Sequence, residues 1–359
     1  MHPQIGHAVP AVSVLMATHN NAAYLREAVD DILSQTFQDF EFVLIDDGST
    51  DDTQRILGSY RDPRLVLLRN EQRHGVAHAR NRTITASRAP LIAVADADDR
   101  YDCQRLEKQV GYLGRHPEVD IVVSDYCRMT AEGRVFERIR VPRTDARIKL
   151  HFLWTETLSH PTVLCRRNTL LRSSGYDESL SSAADADWII RMSDYATFGV
   201  LPEVLHYYRI HGASITRNRD PRQADRRFLI FHKVVCRYLG RQISIAEGEA
   251  FQILMCGWEP ICPEKVVPAL CLTNELLRVA AERETPSTVS WFRQKLAEAM
   301  VIQSTYLSYT APSVSRLLLS RSVPIRIQEV LTPRWLTQCL RVLLGNAHKS
   351  WLLRVQEKG

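Results

Sequence analysis

The chain has 359 residues, 45% hydrophobic and 24% charged, with a formal net charge of +5. That balance is typical of a globular protein with a real core and excludes an extensively disordered chain, and no window reaches the roughly 18 apolar residues of a membrane span. The eight cysteines show no CxxC and no repeated spacing, which argues against a disulfide framework or a zinc site and for reduced, mostly buried thiols in a cytoplasmic protein.

The N-terminal "MHPQIGHAVPAVSVLMATHN" has no basic region followed by a long apolar run and reads without a signal peptide. "VSVLMA" (12–17) predicts a short buried strand. "NNAAYLREAVDDILSQ" (20–35) places Ala23, Leu25, Ala28, Val29, Ile32 and Leu33 at helical spacing, with Asn20 or Asn21 able to cap it. "FEFVLI" (40–45) predicts a second strand and "GSTDDTQRIL" (48–57) a turn and helix. "RLVLL" (64–68) follows as a strand, "VAHARNRTITAS" (76–87) as a helix and "LIAVA" (91–95) as a fourth strand.

Strand and helix alternating at this spacing predict βαβ units and a mostly parallel, Rossmann-like sheet flanked by helices. Ligands of such sheets bind outside the carboxyl ends of the strands. Three strands end there in polar clusters: Thr18-His19-Asn20, Asp46-Asp47-Gly48-Ser49 and Asp96-Ala97-Asp98-Asp99.

Further on, 101–116 reads as helix, 119–124 as strand, and 160–180 as strand, short helix and glycine turn. Residues 185–195 read as a helix opening on acids, and 203–212 as a strand. From about 218 onward the apolar spacing is helical throughout, so residues 1–217 predict one domain and 218–359 a smaller all-helical part. No internal repeat is present.

Asp96 and Asp98, two carboxylates at i and i+2 just past a buried strand, can share one divalent cation; Mg²⁺ and Mn²⁺ suit such oxygen sites and keep phosphate oxygens as ligands. Asp46 or Asp47 can accept a hydrogen bond from a nucleobase N–H, although "DDGSTDD" is also a helix-capping turn. Asp185 and Asp187 complement the dipole of their helix, or Asp185 acts as a general base. His211, after "YYRI", is a candidate third metal ligand or phosphate contact. Absence of G-x-G-x-x-G, of a P-loop and of G-x-S-x-G disfavours dinucleotide, P-loop and hydrolase sites.

In order along the chain, "VSVLMATHNNAAYLREAVDDILSQTFQDFEFVLIDDGSTDDT", "HGVAHARNRTITASRAPLIAVADADDR", "HPTVLCRR", "GYDESL", "DADWIIRM" and "YYRIHGASIT" resemble the family 2 glycosyltransferases of GT-A fold. The resemblance spans roughly residues 10–217. It implies an inverting transfer of a sugar from a nucleotide-diphosphate donor, most readily a UDP-sugar, to a hydroxyl of a glycan or lipid-linked glycan, with Mn²⁺ or Mg²⁺. By matching position it implies nucleotide contacts from Thr18, Asn20, Asp46 or Asp47, Arg80 and Asp96. It implies metal ligation by Asp98, His211 and Asp96, and Asp185 as catalytic base. Where the family carries a Glu before the base, this chain has Ala184; Asp187, with Trp188 beside it, is then the candidate for the acceptor side.

Residues 313–359 carry eight Lys/Arg against two Glu, a net of +6, so the body is near neutral. With Trp335 and Trp351 this tail predicts peripheral contact with an anionic membrane face. Otherwise it is a helical subdomain with a basic solvated face that packs on the catalytic domain or pairs two copies. No signature of a nucleic-acid-binding module is present. The functional alternatives are a non-catalytic nucleotide-sugar-binding scaffold and a nucleotidyltransferase; "THNNAAY" lacks the glycine-rich basic loop that the latter needs.

Overall fold

The computed structural model describes residues 9–155, 158–180, 182–212, 221–257 and 260–307, together with Ser315 and Leu318. The chain divides into two units, Met1–Phe231 and His232–Gly359. The first begins with β1 (Val12–Thr18), α1 (Ala22–Leu33), β2 (Phe40–Asp47), α2 (Thr53–Leu57), β3 (Leu65–Asn70), α3 (Val76–Ala86) and β4 (Leu91–Asp96). It continues with β5 (Arg100–Tyr101), α4 (Arg105–Arg115), β6 (Ile121–Thr130), β7 (Val135–Ile139) and α5 (Asp145–His151). A single 3-10 turn (His160–Thr162), β8 (Leu164–Arg166), α6 (Arg167–Arg172), α7 (Ala184–Ser193) and β9 (Phe198–Ile210) complete it.

The described strands form one sheet in the order β3-β2-β1-β4-β8-β6-β9-β5, with β7 pairing β6 outside that path. β1 to β4 are mutually parallel, as are β6 and β9; β8, β5 and β7 run against their neighbours. β2 is buried at every position, which is why "FEFVLI" is a near-continuous apolar run: strands covered on both faces need apolar side chains on both. Its exception, Glu41, is satisfied inside the sheet. Oε1 accepts from the Ser13 hydroxyl and the Arg88 backbone, both at 2.6 Å, and Oε2 accepts from Arg88 Nε.

The expected elements are present, with altered ends. Asn21 is the N-cap of α1 but its side chain makes no cap bond. Asp51, from the turn after β2, accepts the Ala22 N–H at 3.1 Å instead. The helix expected to start near Ser49 or Thr50 begins at Thr53, and Asp51 accepts the Thr53 N–H in the turn before it. β7 and α5 had no counterpart in the sequence pattern. Cysteines are less buried than expected: Cys103, Cys262 and Cys271 are exposed, while Cys127, Cys165 and Cys236 are buried.

Asp125, on β6, has no exposed surface. It accepts the Val141 N–H at 3.0 Å, two Arg143 bonds at 2.6 and 2.8 Å and one from Arg138 at 3.1 Å. Burial raises its pKa, but these donors together hold it below the usual carboxylate value. A depressed folded-state pKa stabilises the protein above the unfolded value and is lost as pH falls through the folded one. Asp125→Ala is therefore expected to cost on the order of 2–3 kcal/mol at pH 7, reduced from a full buried pair because both arginines stay partly in water. Urea unfolding should show the gap between variant and wild type closing below about pH 4.

The helical character expected after 218 is observed in α8 (Pro221–Leu239), α9 (Ile245–Cys256), α10 (Pro263–Arg283) and α11 (Pro286–Leu307). The division between the units falls within α8. In the second unit, α9 opens on a capping box in which Ser244 Oγ accepts the Glu247 N–H and Glu247 accepts the Ser244 N–H. Ala250, Leu254, Ile261, Val266, Ala269 and Met300 form its core. Among the described residues no helix is long and apolar enough to cross a membrane. The domain boundary expected at 217, and the basic tail apart from Ser315 and Leu318, lie outside the described residues.

Candidate active site

A cleft of about 560 Å³ lies at the carboxyl ends of the parallel strands; Thr18, Asn20, Asp47, Arg80, Asp96, Asp98, Asp185 and His211 all line it. At one end the loops after β1, β2 and β3 are bonded to one another. Asn20 adopts φ 53°, a left-handed conformation that Asn tolerates well. There its N–H donates to Ser49 Oγ at 2.9 Å and its Oδ1 accepts the Thr50 N–H at 2.8 Å. Gly48, at φ +69°, lies so close to the loop after β3 that a Cβ would stand 2.5 Å from the Gln72 carbonyl carbon. His19 Nδ1 contacts the Asp47 carbonyl at 2.9 Å.

The two acids ending β2 have different surroundings. Asp47 Oδ1 accepts from Asn70 Nδ2 at 2.6 Å and the His74 N–H at 3.0 Å, and Oδ2 accepts the Gly75 N–H at 2.8 Å. Burial acts to raise its pKa, and these donors outweigh it, so the group is held below the usual range. Asp46 uses Oδ1 on the Ser49 N–H at 3.0 Å, while its buried Oδ2 has no partner among the described residues, and neither has Thr18 Oγ1. Thr18 and Asp46 are register partners on neighbouring strands. Of the two, Thr18 lines the cleft and Asp46 does not; Asp47 does.

The turn after β4 divides its three acids. Asp96 Oδ1 receives Arg80 Nη2 at 2.7 Å, so the carboxylate expected to share a metal is engaged by an arginine. Burial raises the Asp96 pKa, Asp98 and Asp185 add to the rise, and Arg80 opposes it. Asp98 Oδ2 lies 2.9 Å from His211 Nε2. Asp99 turns into the core, where it meets His206 Nε2 at 2.7 Å and accepts the Arg209 N–H at 2.8 Å; it pins β9 beneath the turn.

Asp98 and His211 offer a carboxylate and an imidazole side by side, a donor pair that fits Mn²⁺ or Mg²⁺ when phosphate oxygens complete the shell. Among the described residues no group of three or more His, Cys, Asp or Glu is arranged to hold a cation; a cation held by this pair would take its remaining oxygens from phosphate or water.

Asp185 reaches the cleft from the first turn of α7, half-buried and without a hydrogen bond to another described residue. Its charge is close enough to favour the charged form of Arg80 and the neutral form of Asp96. The two residues expected on the acceptor side are engaged within the protein. Asp187 is tied to Arg191 Nε at 2.7 Å, one helical turn on. Trp188 has no exposed surface; it donates Nε1–H to Ser173 Oγ and stacks on Tyr176 at 4.8 Å. Neither lines the cleft.

Two residues near the site were missed from sequence. Arg209 is buried, donates to the Asp98 carbonyl at 2.8 Å and lies 4.7 Å over the Tyr24 ring; Tyr24 in turn packs on His211. His160 lines the cleft and contacts Tyr176 Oη at 2.7 Å, and burial, then Arg80 and Arg105, push its pKa well down, keeping it neutral. The signals were an arginine two residues before His211 and a histidine preceding Pro161.

Residues 13–179 match the family model described as glycosyl transferase family 2. An uncharacterized glycosyltransferase of Methanocaldococcus jannaschii is 31% identical over 208 residues, which cover 56% of this chain and 71% of the relative. Among solved structures, S. aureus TarS in complex with UDP-GlcNAc aligns with a TM-score of 0.55 at 17% identity, covering 86% of this chain and 90% of that one. Mannosyltransferase PcManGT from Pyrobaculum calidifontis, in complex with GDP-Man and Mn²⁺, aligns at 0.50 and 19% identity, covering 88% and 85%. At these identities the two structures establish a shared fold.

Proposed function

The chain belongs to glycosyl transferase family 2, and from that premise we propose that it moves a sugar from a nucleotide-diphosphate donor, a UDP-sugar first among them, to a hydroxyl of a glycan or glycolipid with inversion. The observation that carries this reading is the Asp185 carboxylate, which opens α7 in the same cleft as the Asp96–Asp98 turn. The donors bound in TarS and PcManGT, and the Mn²⁺ of the latter, support a nucleotide sugar and a divalent cation here.

In this scheme Asp185 takes the proton of the acceptor hydroxyl as its oxygen attacks the sugar C1. The C1–O bond to the diphosphate breaks, and its electron pair leaves with the diphosphate. Arg80, fixed by Asp96, sets positive charge beside that group. Asp98 and His211 are the residues that would hold Mn²⁺ or Mg²⁺, a cation that neutralises charge on a leaving diphosphate. Asp46 or Asp47 is the candidate for a base N–H: Asp47 lines the cleft while holding the loop at 74–75, and Asp46 lies behind it beside Thr18.

Thermal-shift measurements with UDP, GDP, CMP and dTDP, each with and without Mn²⁺, test the reading. One nucleotide should raise the melting temperature only when the cation is present, since a ligand of the native state stabilises it by mass action. No shift with any of them would count against the donor site, and so against the transferase and the nucleotide-sugar-binding scaffold alike.

A further inference from the structure

Asn81 follows Arg80 on α3 and does not line the cleft. Its carboxamide clips the Tyr176 backbone in both directions: Oδ1 accepts the Tyr176 N–H at 2.8 Å, and Nδ2 donates to the Tyr176 carbonyl at 2.8 Å. Nδ2 also donates to Glu178 Oε1 at 2.8 Å, and His78 Nδ1 meets the other Glu178 oxygen at 2.9 Å. The same few residues are held from the other side by α7. Arg191 donates to the carbonyls of Ser173 and Gly175, and Trp188 stacks on the Tyr176 ring. Residues 173–178 thus form a strap that both helices grip.

The strap has little freedom. Ser174 and Gly175 stand at φ 59° and 76°, a backbone that persists where surrounding contacts impose it. A Cβ on Gly175 would stand 2.5 Å from Asn81 Oδ1. The Arg80 guanidinium lies 5.4 Å over the Tyr176 ring. One turn of α3 therefore carries both the arginine beside Asp96 and the clip on the strap.

We infer that Asn81 is a positioning residue that sets where α7 presents Asp185 to the cleft, acting through Tyr176 and the strap. This rests on the reading of Asp185 as base. The geometric part can be tested without any ligand. In Asn81→Ala, the amides of Tyr176 and of residues 187–190 should exchange hydrogen at least about tenfold faster, with β1 and β2 unchanged. Unchanged exchange at those α7 amides, or equally faster exchange in β1 and β2, would overturn the inference. Gly175→Ala disturbs the same contact from the strap side and should give the same pattern. It decides the question if Asn81→Ala does not fold, and protected α7 amides in it also overturn the inference.

The chemical part uses release of UDP from UDP-GlcNAc and of GDP from GDP-Man with Mn²⁺, in Asn81→Ala, Asp185→Asn and the double variant. Asn81→Ala should lose roughly ten- to a hundredfold in kcat at unchanged nucleotide Kd. The double variant should be no slower than Asp185→Asn alone, as expected of residues acting as one unit. Losses that multiply place Asn81 on a separate path and overturn the inference. A fully active Asp185→Asn instead removes the base reading, and the exchange result then decides the structural role of Asn81 by itself.

Discussion

Asp185→Asn is expected to lower sugar transfer between about 10²- and 10⁴-fold, the range a positioned general base supplies, while nucleotide affinity stays within about twofold. The substitution keeps the shape of the side chain and removes its charge, and with it the ability to take a proton. It should cost the fold little, since the carboxylate accepts no hydrogen bond from another described residue. What it loses is a charge in the first turn of α7, typically about 0.3–1 kcal/mol. Steady-state kinetics with calorimetric titration of UDP and Mn²⁺ separate the two effects. Turnover at the wild-type rate would remove Asp185 as base. A parallel loss of nucleotide affinity would place its charge on the donor side, through the field it exerts on Arg80 and Asp96.

The strands and the acids at their ends were legible in the sequence for a physical reason. Parallel strands buried on both faces must be apolar throughout, so "FVLI" followed by Asp46-Asp47, and "LIAVA" followed by Asp96, mark where the sheet stops and the cleft begins. The roles of neighbouring acids were not legible. Successive residues of a strand point to opposite faces, so spacing alone does not say that Asp47 would bond the 74–75 backbone while Asp46 kept a spare oxygen beside Thr18. In the same way Asp98 meets His211 while Asp99 turns inward to His206. For Asp187 a signal was present, the arginine four residues on, and the two side chains are bonded. β7 left no trace because four of its five residues are exposed, so no face is apolar. Asn81 left none because its clip joins residues 95 apart in the chain, beyond the reach of any local pattern.

Asp98→Ala is expected to remove the Mn²⁺-dependent part of nucleotide affinity, a loss of at least about tenfold, or about 1.4 kcal/mol. The size follows from how few donors the site has. His211 would be left as the only one of the facing pair. Asp96 is no substitute while its Oδ1 is held by Arg80 at 2.7 Å, and turning it to a cation would strand that arginine. The Asp98 backbone should stay in place, because Arg209 grips its carbonyl rather than its side chain, so the loss should appear in binding and not in the fold. Mn²⁺ titration with UDP present, beside a thermal melt of the ligand-free variant, reads both quantities. A variant that binds UDP with Mn²⁺ as tightly as wild type would move the cation away from Asp98. A variant that melts well below wild type without ligand would mean that the Asp98–His211 contact belongs to the fold first, with its two donors facing each other to join β9 to the turn after β4.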